Sequence, residues 1–339
     1  MPRILDDAVV DHLLPPATAV ASVGTAFDLL AAGTAHDQPR ERSAAGGMTL
    51  NVMSAIAPTL DAAVVKSYPV VRRGSSRASL ITVLVYAHRT GQLRGLLQGD
   101  LLGKRRTAAA SAVAARAMAR PESATVCLFG TGFQAPAQVT ALVEVLPELD
   151  TVVVVGRSAE RAEATAGVLR EAHPGLRVEA ETDPARAVPR ADVVVTATGA
   201  AEPLFDGDLL RPGTHVTAVG SNDARRRELD ATVFRRAAHV VVDSVEVART
   251  ECGDLLANGF DPDAATAFAA VHAGRVPGRG APDDITVFES HGLALQDLVC
   301  AVAVLDAAEA AGLGAVVGPD AWPLLSHTTT PTDPGGEIH

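Results

Sequence analysis

The sequence predicts an α/β protein built around a parallel, doubly wound sheet. Three observations lead to this prediction. Apolar runs of strand length alternate with helical patterns from Thr125 onward, as in successive βα units. One of these runs breaks into a glycine motif at Gly130. The chain has 339 residues, which exceeds the usual size of one hydrophobic core, so two domains are expected.

The first third of the chain predicts helix, then strands, then helix. Residues 5–31 have helical apolar spacing interrupted by Pro15-Pro16. Turn residues 88–91 lie between two apolar runs and predict a hairpin. An alanine-rich helix is expected over residues 99–119, closed by Pro121. The predicted strands are Met48–Ile56, Ala62–Tyr68, Ser79–Ala87 and Gln92–Leu97.

The remainder predicts the parallel sheet and a closing helix. A long helix is expected over Ala294–Ala311, and the tail from Thr328, which contains prolines and a Gly-Gly pair, is expected to be disordered. The predicted strands are Thr125–Phe129, Thr151–Val155, Arg177–Ala180, Asp192–Thr196, His215–Val219, His239–Val242 and Ile285–Phe288.

Composition narrows the class of protein. Hydrophobic residues make up 47% of the chain but aromatic residues only 3%, so Val, Leu and Ala are expected to fill the cores. A net charge of −11 argues against a nucleic acid or an anionic membrane as partner. No apolar run reaches the roughly 18 residues of a membrane span, and no signal-peptide pattern is found, so a cytoplasmic location is expected. Three scattered cysteines indicate neither a disulfide framework nor a zinc site, and no metal is expected.

The glycine motif Gly130-x-Gly132-x-x-Ala135 follows a predicted buried strand and opens a helical pattern. A sharp turn on Gly130 and close backbone approach at Gly132 suit a pyrophosphate, while Ala135 permits close helix–strand packing. The next helix would direct its positive end at the phosphates. Glycine pairs also occur in ordinary turns, but the strand one βα unit later favours a dinucleotide site. The candidate cofactor-binding residues of this loop are Gly130, Thr131, Gly132, Phe133 and Gln134.

The end of the second strand bears on the choice of cofactor. An acidic residue there would bind the ribose 2′-hydroxyl of NAD, whereas an arginine can pair with the 2′-phosphate of NADP. This chain has Arg157, Ser158 and Arg161 there, and no carboxylate before Glu160. NADP(H) is therefore the expected cofactor, with NAD(H) as the alternative. An ordinary surface arginine at a helix start is the competing interpretation.

Lysine is rare, since 27 of the 29 basic residues are arginines and the two lysines are Lys66 and Lys104. Lys66 lies in or at the end of the strand predicted over Ala62–Tyr68. A lysine in a half-buried strand needs an anion or a carbonyl nearby. The sequence leaves two readings open, a substrate contact and a strand-edge charge.

A series of motifs in a fixed order, from about residue 4 to about residue 313, resembles the ornithine cyclodeaminase/mu-crystallin family. The order and spacing of the motifs carry the resemblance. They are Gly33 with Pro39 and Arg40/Arg42, Lys66, Thr90-Gly91, Arg106-Thr107-Ala108-Ala109, the Gly-Thr-Gly-Phe-Gln-Ala loop, Ala218-Val219-Gly220-Ser221, Arg227-Glu228-Leu229-Asp230, Glu251-Cys252-Gly253-Asp254-Leu255, and Phe288-x-Ser290-x-Gly292-x-Ala294-x-x-Asp297.

The resemblance implies a two-domain homodimer that binds an α-amino or α-imino acid across a nicotinamide ring. Residues 1–119 would form a substrate-binding and dimerisation domain of α+β type, completed by a C-terminal helical segment, 294–327. A Rossmann domain, 120–293, would be inserted between them, and 328–339 would be the tail.

Residue roles also follow from the resemblance. Arg106, Lys66 and Arg42 would hold the substrate carboxylate, with Arg40 as an alternative to Arg42, and Lys66 and Arg106 are the candidate catalytic residues. The other candidates are Asn222 and Asp297 for the substrate, and Thr198 and Gly220 for the cofactor.

Departures from the family pattern bear on the reaction. Cyclodeaminases of this family carry an aspartate after Val-Gly-Gly, where this chain has Asn222, whose amide takes up no proton near neutral pH. Asp223 is adjacent, so a carboxylate at this place stays open. The Arg-Glu-Leu-Asp and Glu-Cys-Gly-Asp runs are more like the reductase branch, and Ser54 replaces the proline of a common Met-Pro pair.

The expected function is therefore an NAD(P)H-dependent oxidoreductase acting on a C–N bond beside a carboxylate. Examples are a ketimine or cyclic imine reductase and an amino-acid dehydrogenase. The alternatives are a cyclodeaminase that recycles bound NAD, and a nucleotide-binding protein without turnover. The sequence does not select the substrate side chain.

Overall fold

The computed structural model describes residues 1–73, 76–78 and 80–318. The helices of this part are α1 (Asp7–Leu13), α2 (Pro16–Ala32), α3 (Asp100–Met118), α4 (Ala135–Val143), α5 (Ala159–Ala172), α6 (Pro184–Ala187), α7 (Ala231–Arg236), α8 (Val245–Glu251), α9 (Gly253–Ala257), α10 (Phe268–His272) and α11 (Ala294–Ala311). The strands are β1 (Arg3–Leu5), β2 (His36–Ala45), β3 (Met48–Ala57), β4 (Ala62–Arg73), β5 (Ser76–Ala78), β6 (Thr82–Ala87), β7 (Leu93–Gln98), β8 (Thr125–Phe129), β9 (Thr151–Val155), β10 (Arg177–Glu181), β11 (Val193–Thr196), β12 (His215–Ala218), β13 (Ala237–Val242), β14 (Thr266–Ala267), β15 (Ile285–Glu289) and β16 (Ala315–Val316).

One sheet is parallel throughout, in the order β10-β9-β8-β11-β12-β15-β13-β14. Its central strands are buried on both faces, which explains their continuous runs of valine. Counted from β8, the order of the first five strands is 3-2-1-4-5, so the direction in which successive strands are added reverses between β8 and β11. Ligands of such sheets bind outside the carboxyl ends of the strands at this reversal. The predicted fold class, a doubly wound parallel sheet with a second sheet beside it, is confirmed.

The second sheet has the order β16-β1-β7-β6-β4-β3-β2, with β5 paired to β4. Its pairings are antiparallel except for that of β1 with β7. Buried residues alternate along β4, at Ala62, Val64 and Lys66, because successive strand side chains point to opposite faces. Helix α11 packs against β3 and β4, so Lys66 lies in a protein interior rather than at a solvated edge.

The interrupted N-terminal helix and the hairpin are found as predicted. The helix is interrupted at Leu14 and Pro15, which separate α1 from α2. Strands β6 and β7 pair across a turn in which Ala87 N–H donates to Gln92 O at 2.8 Å and Gly91 has a positive φ of 68°. Among the described residues, no single helix has the length and apolar character of a membrane span. Helices α1 and α2 together have that length and apolar character, but they are bent by 87° relative to each other.

Several details differ from the sequence-based expectation, including the short strands β1, β5, β14 and β16, which were not predicted. Strand β2 was not anticipated, because it is a mostly exposed edge strand with Pro39 and little apolar alternation. The strand expected from Ser79 begins at Thr82, with residue 79 itself outside the described residues. The helical segment expected as far as residue 327 stops at Ala311, because Gly312 adopts a left-handed φ of 69° and its N–H bonds back to Glu309 O. Residues 319–339, including the predicted disordered tail, lie outside the described part.

Candidate active site

A cleft of about 930 Å³ lies between the two sheets. Residues of the second sheet and α3 line one side, and the loops that follow β8, β12 and β15 line the other. These loops lie at the carboxyl ends of parallel strands, where doubly wound sheets bind ligands. Sequence-predicted residues among the lining are Arg42, Lys66, Arg106, Phe133, Gln134, Gly220 and Asn222.

Lys66, Arg106 and Asp297 form a buried charged group, here called the Asp297 cluster. Lys66 Nζ donates to both carboxylate oxygens of Asp297, at 2.9 and 3.0 Å, and Arg106 Nε donates to Oδ1 at 3.2 Å. Strand β4, helix α3 and the first turn of α11 each supply one member. The cluster carries two positive charges and one negative charge, which leaves one positive charge facing the cleft.

Burial shifts the protonation of this cluster. It lowers the pKa of Lys66 to about 8, because the ammonium is removed from water and Arg106 repels it, while Asp297 acts in the opposite direction. Burial would raise the pKa of Asp297, but the two cations outweigh it and hold that pKa below its ordinary value. Lys66 can therefore exchange a proton near neutral pH while Asp297 stays ionised.

Glycine at position 292 makes room for Arg106. Its φ of 83° is left-handed, and a Cβ built there would lie 2.5 Å from Arg106 Nη1. Arg106 Nη1 also donates to the side-chain oxygen of Gln296 at 3.3 Å. The Phe288-x-Ser290-x-Gly292 part of the last motif thus shapes the backbone around the guanidinium. The same motif continues to Asp297, the fourth residue of α11.

Arg40 and Arg42 contact the same partner, Glu251. Two residues apart on β2, they point to the same side of the strand. Arg40 is ion-paired with one Glu251 oxygen, and Arg42 Nη1 lies 2.7 Å from the other. Arg40 is buried, whereas 37% of the Arg42 side chain is exposed. Both arginines line the cleft, and Arg42 is the more exposed of the two. The sequence left open which of them contacts the substrate.

The segment after β12 contains Asn222 and Asp223, the two residues that bear on the choice between a lyase and a reductase. Asn222 is exposed, and its backbone carbonyl accepts a hydrogen bond from Arg42 Nη2 at 2.8 Å. Asp223 is bound by Arg225 at 2.9 and 2.8 Å. This ion pair and hydrogen bonding hold the pKa of Asp223 well below its ordinary value, although partial burial opposes the shift. Asp223 is thus a carboxylate that is already ion-paired with Arg225.

The glycine loop after β8 has a left-handed glycine and open space beside its backbone. Gly130 has a φ of 126°, and a Cβ there would lie 2.6 Å from Ala197 O, so a side chain is excluded. A Cβ at Gly132 would meet no protein atom within 4 Å, so packing within the chain does not demand glycine there and the space suits a ligand. Gln134 Oε1 is buried without a hydrogen-bond partner among the described residues. Phe133 is 61% exposed, with Lys104 Nζ 4.6 Å from its ring centroid.

Glu228 fixes the positions of Thr198 and Gly220. Its carboxylate accepts hydrogen bonds from Thr198 N and Oγ1 at 2.7 and 2.6 Å, from Thr196 Oγ1 at 2.8 Å, and from Gly220 N at 2.9 Å. Burial raises the pKa of Glu228 to about 7, despite these bonds. The carboxylate thereby joins the ends of β11, which pairs with β8, and β12, the next strand of the sheet.

The residues predicted to contact the adenosine end of the cofactor lie on the surface after β9. Arg157 and Arg161 are exposed, and Arg157 makes no hydrogen bond or ion pair with the described residues. Ser158 caps α5 by accepting from Arg161 N at 3.3 Å. Ser158 thus has a structural role of its own, and the Arg157 guanidinium is available.

Several residues of the site were not singled out by sequence. Asp37 accepts from Leu295 N at 2.6 Å at the start of α11, and burial beside Asp243 and Asp297 raises its pKa to about 7. Asp243 Oδ2 accepts from Ser290 Oγ and from the N–H groups of His291 and Gly292, at 2.7–2.9 Å. Glu228 and Glu251 appeared only as letters within motifs. Only Asp243, which directly follows Val240-Val241-Val242, carried a sequence signal, because a carboxylate at the end of an apolar run needs partners when it is buried.

The sequence profile of the ornithine cyclodeaminase/mu-crystallin family matches residues 4–312. The chain belongs to this family. The resemblance inferred from the motifs is therefore confirmed, and it includes strands of both sheets.

Two relatives of the family are reductases by name. A Δ1-pyrroline-2-carboxylate reductase of Bacillus cereus is 34% identical over 274 residues, covering 78% of this chain and 83% of the relative. The ketimine reductase mu-crystallin of Mus musculus is 35% identical over 225 residues, covering 66% and 68%. The structure of Thermococcus litoralis Δ1-pyrroline-2-carboxylate reductase, in complex with NADH and L-proline, superposes with a TM-score of 0.87 at 27% identity. It covers 93% of this chain and all of the other.

Proposed function

We propose that the protein is an NAD(P)H-dependent reductase of a C=N bond next to a carboxylate. The observation that carries the proposal is the Asp297 cluster, whose surplus positive charge faces the same cleft as the glycine loop. The family relatives that are named as imine reductases support it. An amino-acid dehydrogenase is the same chemistry run toward oxidation.

Lys66 and Arg106 are proposed to bind the substrate carboxylate. The guanidinium can form paired hydrogen bonds with a carboxylate, and the ammonium adds a point charge. Asp297 orients both cations and keeps the net charge of the buried group at one. Arg42, the more exposed of the two arginines on Glu251, is proposed to reach the substrate, while Arg40 holds Glu251 in place.

A nicotinamide cofactor, when bound, supplies the hydride that reduces the imine carbon. The chain then has to fix the carboxylate and manage one proton. Clamping the carboxylate confines the imine carbon to a near-attack position, about 3–3.5 Å from the donor. With a pKa of about 8, Lys66 is a suitable acid to protonate the imine nitrogen, directly or through water.

The cofactor is proposed to lie along the loop after β8, against Gly130–Gln134, with Thr198 and Gly220 beside it. The left-handed Gly130, the open space at Gly132 and the unpartnered oxygen of Gln134 support this placement. We further propose a preference for NADP(H) over NAD(H). The exposed Arg157 supports it, with Ser158 and Arg161 next to it, because a guanidinium pairs with a 2′-phosphate.

We also propose that 1–119 with 294–327 forms the substrate domain and that 120–293 forms the dinucleotide-binding domain. In the described chain the parallel sheet, 125–289, lies between the segments that build the second sheet and α11, which supports an inserted domain. The homodimeric state and cytoplasmic location stay predictions.

A second candidate is an amino-acid cyclodeaminase that recycles NAD. The observation in its favour is a carboxylate, Asp223, in the cleft next to the position where cyclodeaminases carry their aspartate. Against it stands the ion pair with Arg225, which lowers the basicity of Asp223. Binding of a nucleotide without turnover is the third candidate.

A substrate panel tests the proposal. The purified protein is mixed with NADPH or NADH and with cyclic imines, or with α-keto acids plus amines, and the cofactor absorbance is followed. Cofactor oxidation that requires a carboxylate-bearing imine supports the reductase. Tight nucleotide binding without oxidation across the panel indicates the third candidate instead.

A further inference from the structure

A second group of reactive side chains, here called the Cys252 cluster, is buried beside the cleft, and one of its members, His291, lines the cleft. Cys252 follows α8, Glu289 ends β15 and His291 comes two residues later. The possible ligand atoms of these three side chains all lie within 4.8 Å of one another. All three residues are buried, at 0, 2 and 6% exposure. None has a role in the reaction described above, and their separation in sequence hid the grouping.

Two polar atoms of this cluster lack partners. Glu289 Oε1 and His291 Nδ1 are buried without a hydrogen-bond partner among the described residues. His291 Nδ1 lies 3.7 Å from Asp243 Oδ1, which is too long for a hydrogen bond. Buried polar atoms are almost always paired, directly or through water or an ion. Two unpaired atoms in one cluster therefore point to a missing ligand.

The charges around the cluster favour a cation. Burial raises the pKa of Glu289 well above its ordinary value, and the nearby carboxylates of Asp254 and Glu228 raise it further. The two arginines of β2 that line the cleft, Arg40 and Arg42, are already paired with Glu251. A divalent cation would balance a thiolate and a carboxylate that are otherwise unfavourable in this interior.

We propose that Cys252, Glu289 and His291 bind a divalent cation of the Zn²⁺ class. Thiolate, imidazole and carboxylate together select zinc-like ions, whereas magnesium and calcium prefer oxygen ligands alone. Bond lengths of about 2.0–2.3 Å place the ligand atoms of a tetrahedral site roughly 3.3–3.8 Å apart, so small side-chain rotations would close this one. Asp243 flanks the histidine ring, as carboxylates commonly do at metal-bound histidines.

The proposed ion would lie next to the substrate pocket without taking part in hydride transfer. His291 lines the cleft, and its carbonyl accepts a hydrogen bond from Arg40 Nη2 at 3.0 Å. Three protein ligands leave a fourth position for water. Binding would release the thiol proton of Cys252, and it would fix the segment that carries Gly292. The proposal goes beyond the proposed reductase activity and does not depend on it.

Cobalt titration of the metal-stripped, full-length protein tests this directly. We expect one Co²⁺ per chain, with a thiolate-to-cobalt charge-transfer band in the near ultraviolet. Cys252→Ser should lose that band, while Cys300→Ser, a matched change at another buried cysteine, should keep it. Glu289→Gln should keep the band but weaken Co²⁺ binding by at least about 10-fold, the lower end of the loss caused by removing an outer partner of a metal ligand.

A thermal measurement covers the case in which Cys252→Ser does not fold. Zn²⁺ should raise the Tm of the wild type, because a ligand that binds only the native state stabilises it, and the rise should shrink in Glu289→Gln. The proposal is overturned if folded wild type shows no thiolate band with Co²⁺. It is equally overturned if folded Cys252→Ser shows the same band, or if Zn²⁺ raises the Tm of wild type and Glu289→Gln alike.

Discussion

Lys66 Nζ binds both carboxylate oxygens of Asp297, and the side chains of this pair are 3% and 0% exposed. The pair joins β4 of the second sheet to the first turn of α11, next to the cleft. It makes Lys66 part of the interior, and it sets both the charge and the proton affinity of the proposed substrate site.

The first prediction concerns stability. Asp297→Asn should lower the free energy of unfolding by about 3–5 kcal/mol, because it leaves Lys66 and Arg106 buried without their anion. Asp306→Asn, on the same helix but in an exposed pair with Arg94, should cost less than about 1 kcal/mol. Urea unfolding measures both. Equal losses in the two variants would mean that the buried pair has no special weight.

The second prediction concerns the carboxylate clamp. Arg106→Ala should lose most turnover on a carboxylate-bearing imine while it still binds NADPH, since the guanidinium faces the substrate end of the cleft. Arg105→Ala is the matched control. Arg105 is the preceding residue of α3, but it binds Asp11 and the carbonyls at the end of α1.

Steady-state kinetics and NADPH titration separate these effects. The clamp is refuted if Arg106→Ala keeps wild-type kcat/KM, or if Arg105→Ala loses as much turnover as Arg106→Ala with the same cofactor affinity.

The third prediction is a pH dependence. Lys66 must be protonated to donate to the imine nitrogen, and its pKa is lowered to about 8 by burial and by Arg106. The value of kcat/KM for reduction should therefore fall as pH rises through about 8. Lys66→Arg keeps the charge but removes this titration, because arginine stays protonated. A fall at the same pH in an active Lys66→Arg enzyme would assign the titration to another group.

The fourth prediction concerns the cofactor. Arg157→Ala should weaken NADPH binding by about 10- to 150-fold, which corresponds to a charge-assisted pair of about 1.5–3 kcal/mol, and should leave NADH binding unchanged. Arg186→Ala, an exposed arginine paired with Glu181, is the control for loss of general positive charge. If the wild type binds NADH as tightly as NADPH, the proposed NADP(H) preference is wrong.

Much of the parallel sheet could be predicted from sequence, because each buried strand is a short valine-rich run between helical patterns. The glycine loop was equally legible, since left-handed backbone at Gly130 leaves few alternatives to glycine. Strand β2 was missed because an edge strand buries little and shows no alternation. The pairing of Arg40 and Arg42 with Glu251 depends on that strand, so their different exposure could not be predicted from the sequence.

The sequence predicted the three residues of the Asp297 cluster but not the contacts between them. The family motifs identified Lys66, Arg106 and Asp297, but not that the aspartate binds both cations. Whether Lys66 is a substrate contact or a strand-edge charge depended on which face of β4 is buried. Helix α11 covers that face, and it lies more than 200 positions later in the chain. Contacts between distant segments also hid Glu228 and the Cys252 cluster.

The fifth prediction concerns Asn222. Without a free carboxylate there, ornithine and lysine should release no ammonia with trace NAD. Asn222→Asp would restore the residue of the cyclodeaminases, and it should introduce at most weak lyase activity because Ser54 and the Asp223–Arg225 pair are unchanged. Ammonia detection beside the wild type measures this. Vigorous ammonia release by Arg225→Ala but not by the wild type would show that freeing Asp223 is sufficient.

The most direct test compares cofactor consumption with ammonia release in the same wild-type preparation. Pyrroline-2-carboxylate or piperideine-2-carboxylate is supplied with NADPH or NADH, and ornithine or lysine is supplied with trace NAD. One cofactor should be oxidised for each cyclic imine reduced, and no ammonia should form from the diamino acids. Efficient ammonia release with no net consumption of cofactor would contradict the proposed reductase activity and establish the cyclodeaminase instead.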